Sequence, residues 1–215
     1  MKKWMMLLVV SMLLIMAPMS VAAAGKTITG LGTGTIGKPV VPTSENDYWS
    51  GSHVYFGSKS TPILFNVLKV GETNFGGNTM LLDCASILQT MRFDDDSNQW
   101  VNSEIKTWLN GTFLSARFTD REQQAIAGST KNSYVVALTG EKVFLLDADE
   151  VMSDSYGFFQ RNGPDNYTRK KYVTSNGLWW LRSSKLSQGN NTQADYVSTN
   201  GGLSNSSFNY TEIGM

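Results

Sequence analysis

GLWWLRSS (Gly177–Ser184) sets two tryptophans, two leucines and an arginine side by side in a tail otherwise rich in Ser, Asn, Gly and Tyr. In a strand, successive side chains point to opposite faces. Trp179, Leu181 and Ser183 then share one face, and Leu178, Trp180 and Arg182 share the other. Each face carries a bulky apolar residue, so both are expected to be covered. An exposed Trp–Trp platform for a sugar ring is the rival reading. Adjacent strand residues point apart, so a platform using both rings is poor geometry. The stretch therefore reads as a core strand, with Trp179 and Leu181 buried together and Arg182 held by the Trp180 ring or by a carboxylate.

The surrounding chain supplies partners for such a strand. TPILFNVLKV (61–70) and NTMLLDCASIL (78–88) are apolar runs around the Gly-rich GETNFGG, the pattern of a β-hairpin covered on both faces. A first strand is expected at HVYFGS. In VNSEIKTWLNG, Val101, Ile105, Trp108 and Leu109 make one stripe of an amphipathic helix. Asn102 or Ser103 caps its start, and Asn110-Gly111 is expected to end it in the left-handed conformation. Thr119 and Glu122 have the spacing of a capping box for a second helix closed by Gly128. SYVVAL (133–138) and EKVFLLDADE (141–150) read as two more strands around a turn, after which Asp147 and Glu150 cap a short helix. Beyond Ser153, the aromatic islands LWWL, ADYV and FNY indicate short strands joined by long loops. The fold class is α+β: a mainly antiparallel sheet, two central helices and long loops.

The start of the chain has a different character. Lys2 and Lys3 precede the apolar run Met5–Met16, and Ala22 and Ala24 occupy the small-residue positions of a signal peptidase site. The apolar run is shorter than the ~20 residues that span a bilayer. Residues 1–24 are therefore read as a cleaved signal peptide of a secreted or cell-surface protein. Residues 25–47, rich in Gly, Thr and Pro, read as a flexible leader, and 48–215 as one α+β domain. Cleavage removes Lys2 and Lys3 from 18 basic residues and nothing from 18 acidic ones, leaving a net charge of −2. Such a balance argues against nucleic acid as a partner. No second long apolar run occurs, so no stable membrane insertion is expected after cleavage.

Catalytic signals are sparse. His53 is the only histidine and Cys84 the only cysteine. Together they allow no His/Cys metal site and no disulfide, and His53 reads as a half-exposed strand residue. Cys84, inside an apolar run, reads as a small buried hydrophobe. In FDDDSNQW (93–100), Asp94, Asp96 and Asn98 alternate like the first ligands of a calcium loop. The glycine such a loop needs at its sixth position is Gln99, and its twelfth position is Ile105. A solvated loop leading into the helix is the simpler reading. No cofactor is indicated. The acids Asp94, Asp96, Asp147 and Asp149 leave open an extracellular carboxylate-dependent hydrolase. A structural segment of a larger surface protein is a third reading.

The ordered set HVYFGSKSTPILFNVLKV, NTMLLDCASIL, SEIKTWLNGTFLSARFTDREQQAI, EKVFLLDADEV and WWLRS resembles an uncharacterised domain family of secreted bacterial proteins, common in Gram-positive gut species. The resemblance runs from about Tyr55 to Met215. It implies an extracytoplasmic domain without established activity. Its closing pattern is similar to C-type-lectin-like and formylglycine-generating-enzyme-like folds. The oxidase branch of that superfamily uses paired cysteines, which this chain lacks. Ser184 stands where the family often has proline, and Phe65 where it usually has tryptophan. The chain ends at Ile213-Gly214-Met215 where the family continues, which implies truncation before a last core strand. The expected function is a non-catalytic binding module for a glycan or protein ligand. Its contact residues are expected in the long loops, at Arg161, Asn166, Tyr167, Tyr172 and Asn190, because Tyr, Asn and Arg make adaptable contacts. Trp108, Leu109, Trp179, Trp180, Leu181 and Arg182 are expected to form core.

Overall fold

A computed structural model of the chain describes residues 28–29, 35–72, 79–131, 136–161, 165–171, 177–184 and 191–215. The proposed signal segment, Tyr172 and Asn190 lie outside the described residues. The fold is α+β, mostly sheet. Strands β1 (Ile28–Thr29) and β2 (Thr35–Ile36) pair with each other. An antiparallel sheet of order β3-β4-β5 follows, from His53–Phe56, Ile63–Glu72 and Thr79–Cys84. A second antiparallel sheet, β6-β7-β8, comes from Trp179–Trp180, Gln193–Val197 and Leu203–Ser207.

The hairpin expected from the two apolar runs is β4–β5, paired from Phe65↔Cys84 to Glu72↔Thr79 with two register shifts. Apolar residues on both faces explain why both are covered. Leu68 and Leu81 join the main core, whereas Val67 and Val70 pack with Ile36, Val54, Met80 and Leu82 on the far side.

One long helix crosses the main core. Ser103 caps it, its side chain accepting from the Lys106 N–H. It does not stop at Asn110-Gly111. Its α-helical turns Glu104–Trp108 and Leu114–Arg117 flank a π-helical turn, Leu109–Phe113. Asn110 takes part in a tertiary clamp instead of a left-handed cap. Its Oδ1 accepts from the N–H groups of Lys142 (2.9 Å) and Val143 (3.2 Å), and its Nδ2 donates to Val143 O (2.8 Å). Of the expected stripe, Ile105 and Leu109 are buried, Trp108 is half-buried and Val101 is exposed. The second helix, Asp120–Ala125, carries the Thr119/Glu122 capping box.

The expected strand pair at 133–138 and 141–150 is not formed in the described part. A bridge joins Ser129 to Glu141, and residues 142–148 run without a strand partner. Their backbone groups are claimed elsewhere. Asn110 takes Lys142 and Val143, the Arg182 guanidinium takes Leu145 O, and the Arg182 N–H takes Leu146 O. Side chains, with the backbone N–H of Arg182, thus satisfy peptide groups that a neighbouring strand would otherwise bind.

Trp180 is fully buried. Its ring meets Phe93 and Tyr196 edge-on, and its indole N–H donates to Met91 O at 2.9 Å. Gly214 bridges Trp179 on one side and Thr90 on the other, with Trp180 N–H donating to Gly214 O and Leu88 N–H to Met215 O. Residues 213–215 therefore lie between 88–91 and 178–180, and Ile213 is 1% exposed. Among the described residues, no helix is long and apolar enough to cross a membrane.

Candidate functional site

Two polar assemblies organise the second half of the chain, one inside it and one at its surface. The inner one centres on Arg182, which is fully buried. Its Nη2 reaches Asp147 Oδ2 at 2.5 Å and Glu150 Oε1 at 2.9 Å, and its Nη1 reaches Glu150 Oε2 at 2.5 Å and Leu145 O at 2.7 Å. Lys131 Nζ adds a contact of 2.5 Å to Glu150. Asp147 and Glu150 also cap one another. The Asp147 N–H donates to Glu150 and the Glu150 N–H to Asp147, each at 2.8 Å, which starts the short helical turn Glu150–Met152. Burial and the nearby Glu150 charge raise the Asp147 pKa. Burial pushes Glu150 the same way, but the Arg182 hydrogen bonds and charge, with Lys131, carry it below its ordinary value. The guanidinium lies 5.7 Å from the Phe144 ring and is held by carboxylates rather than by Trp180. With Arg182, Asp147 and Glu150 buried and Lys131 alone partly exposed, this assembly serves the fold.

The outer assembly is an open cleft of about 570 Å³ lined by Pro42, Asp154, Phe159, Gln160 and Arg161. Asp154 belongs to the helical turn Asp154–Tyr156, closed by Gly157 at φ 81°. Gln160 Nε2 donates to Asp154 Oδ2 at 2.6 Å. Asn166 shapes the wall from behind. It is fully buried, and its Nδ2 donates to Phe159 O (3.1 Å) and Arg161 O (3.3 Å). It therefore supports the loop without offering its side chain to solvent. Arg169 is equally buried and donates to three carbonyls: Gly201 O (2.7 Å), Val151 O (3.2 Å) and Arg161 O (2.9 Å). Burial lowers its pKa to about 10, so it stays charged at neutral pH.

Residues 37–47, within the stretch read as leader, are tied to this region. Val40 N–H donates to Ser50 O, and Tyr167 N–H to Glu45 O at 2.7 Å. The rings of Tyr48 and Tyr167 lie 5.4 Å apart at 47°, and Lys170 Nζ sits 3.5 Å from the Tyr167 centroid. Tyr48, Val40 and Val41 are exposed. Arg161 is thus on the cleft, Tyr167 beside it and Asn166 beneath it. Phe159 and Gln160 belong to the long loop 157–177 expected to make contacts but were not singled out in it, and Asp154 and Tyr48 lie outside that loop. Only the Phe-Gln-Arg run of Phe159–Arg161, an aromatic beside two planar polar groups, carried a local signal for them.

The acids considered for hydrolysis fall elsewhere. Asp94 is buried, accepting from the Glu104 N–H and the Ser97 hydroxyl. Asn98 is also buried, donating to Gln193 O at 2.8 Å, so Phe93–Trp100 is a loop leading into the helix that packs against β7 through Asn98 while Asp95, Asp96 and Gln99 stay exposed. Asp147 is committed to Arg182, and Asp96 and Asp149 are exposed. None of the four lines the Asp154–Arg161 cleft, nor a groove of about 380 Å³ beside Trp108, Leu88 and Phe113. Among the described residues, no group of three or more His, Cys, Asp or Glu is placed to hold a metal ion.

A family model described as a domain of unknown function (DUF6273) matches residues 76–215. No curated protein and no solved structure matches the chain.

Proposed function

We propose, for a chain that belongs to the DUF6273 family through residues 76–215, the role of an extracytoplasmic, non-catalytic module that binds a glycan at the Asp154–Arg161 cleft. The carrying observation is the composition of that cleft. Apolar surface from Pro42 and Phe159 stands beside a carboxylate, a carboxamide and a guanidinium. A sugar ring presents the matching combination, an apolar face rimmed by hydroxyls that both donate and accept. Asn166 and Arg169 hold the wall in place before a ligand arrives, which lowers the ordering cost of binding. Tyr48 and Tyr167 extend the surface with rigid amphipathic rings.

Export rests on the Lys2–Ala24 segment, and a C-type-lectin-like scaffold on the order of the motifs and the Trp-rich strand near the end of the chain. A protein ligand is the second reading, favoured by exposed Val40, Val41 and Tyr48 next to the cleft. The binding reading stands ahead of carboxylate hydrolysis because Asp94, Asp96, Asp147 and Asp149 are dispersed away from the cleft.

A glycan array, followed by titration of the hits, tests the proposal. Micromolar to millimolar binding that falls at least tenfold in Arg161→Ala or Gln160→Ala supports it, about 1.4 kcal/mol per tenfold. No binding by the folded protein to any glycan at millimolar concentration contradicts it.

A further inference from the structure

One buried ion pair stands apart from the Arg182 cluster because it is incompletely satisfied. Lys171 Nζ lies 2.7 Å from Asp83 Oδ1, and both side chains are only 8% exposed. The second carboxylate oxygen, Asp83 Oδ2, is buried without a hydrogen-bond partner among the described residues. The amine is covered from another side by the Trp179 ring, whose centroid is 4.0 Å away. Trp179 is itself fixed by its indole N–H, which donates to Arg169 O at 3.2 Å. On the strand, Asp83 opposes Asn66 and precedes the half-buried Cys84.

We propose that Lys171 and Asp83 condense into an intramolecular amide, a side-chain cross-link between β5 and the segment leading into β6. Held in contact, an amine and a carboxyl react at an effective concentration far above any intermolecular one. Burial disfavours the charged carboxylate and raises the Asp83 pKa, which favours passage of the ammonium proton to the carboxylate. The neutral amine lone pair then attacks Asp83 Cγ. The Nζ–Cγ bond forms and one Cγ–O bond breaks. That oxygen leaves as water with two protons that began on the ammonium, so no oxidant, reductant or co-reactant is needed. The pair becomes a neutral amide. The product removes one carboxylate oxygen, and with it the acceptor that water cannot reach and no donor satisfies. It also joins positions 88 residues apart, closing a large loop.

Peptide mapping and intact-mass measurement on the purified full chain, beside Lys171→Arg, decide the matter. The two chains share their N-terminal processing, so the comparison isolates the bond. The expected result is a wild-type mass one water lower than the Lys-to-Arg difference alone requires. Trypsin should fail to cut after Lys171 and release a branched peptide containing Asp83. Full mass together with free, linear peptides ending at Lys171 overturns the proposal and leaves an ion pair only. Should Lys171→Arg not fold, the wild-type peptide map decides alone, since it needs no variant.

Discussion

Replacing Arg182 by methionine keeps most of the side-chain volume and removes every donor. Asp147 and Glu150, at 0% and 2% exposure, are then left with Lys131 as the only charged partner described for them. Breaking a buried pair from one side costs about 3–5 kcal/mol, because the abandoned carboxylates keep their desolvation penalty. The Leu145 carbonyl loses its donor as well. Against a total stability of about 5–15 kcal/mol for a domain, the loss is large. With a urea m-value of about 2 kcal/mol/M, a 4 kcal/mol loss moves the unfolding midpoint down by about 2 M.

The pH dependence supplies a second signature. In the wild type, Glu150 has a folded pKa below its ordinary 4.5. Its contribution is therefore present above 4.5 and lost as pH falls through the lower folded value. Without Arg182, burial should raise Glu150 above its unfolded value and push Asp147, already raised in the wild type, higher still. The folded variant then takes up protons as pH falls, and its deficit relative to wild type should narrow on going from pH 7 toward pH 5. Adding Asp147→Asn and Glu150→Gln to Arg182→Met should recover part of the loss at neutral pH. A midpoint for Arg182→Met within about 0.3 M of wild type, with no pH dependence of the difference, would refute the reasoning.

Two other perturbations have definite signs. Glu122 has its pKa lowered to about 2, chiefly by the Thr119 N–H that it accepts from in the capping box. Its contribution is complete above 4.5 and disappears as pH falls through about 2, so NMR should place its carboxyl titration near 2. In Glu122→Asp, where the contact is broken, the new carboxyl should titrate near the ordinary aspartate value of about 3.9. Gly201→Ala should destabilise by more than about 2 kcal/mol in urea unfolding. Gly201 has φ 84°, and an added Cβ would fall 1.8 Å from Asn166 O, so backbone strain and a steric clash act together. Stability unchanged in Gly201→Ala would contradict the tight packing beneath the cleft.

What could be read in advance was the local chemistry. The Thr119/Glu122 box, the Ser103 cap and the β4–β5 hairpin rest on spacing and composition within short windows, and they formed as spaced. That Arg182 needs a partner was legible because a cation in an apolar strand must be held, but the sequence left the Trp180 ring and a carboxylate both open. Long-range capture decided the rest. Asn110-Gly111 has the composition of a helix end, yet the Asn110 amide is worth more as a clamp on Lys142 and Val143 across 32 and 33 residues. Residues 141–150 have strand composition, but the Asn110 and Arg182 side chains, the Ser129 and Arg182 N–H groups and the mutual Asp147/Glu150 caps took many of their backbone groups. Asp94, Asn98, Asn166 and Arg169 are polar residues of types that usually face water. Each is buried through partners distant in sequence or folded back by a loop, and no local pattern announces that.

The Asp154–Arg161 cleft is the surface on which ligand binding is to be measured. Amide chemical-shift mapping with the strongest glycan from the array tests such binding most directly. Binding in the cleft should give saturable perturbations concentrated at Asp154, Phe159, Gln160 and Arg161, spreading to Tyr48 and Tyr167. Perturbations confined to the groove at Trp108, Leu88 and Phe113, or to the Phe93–Trp100 segment, would contradict it.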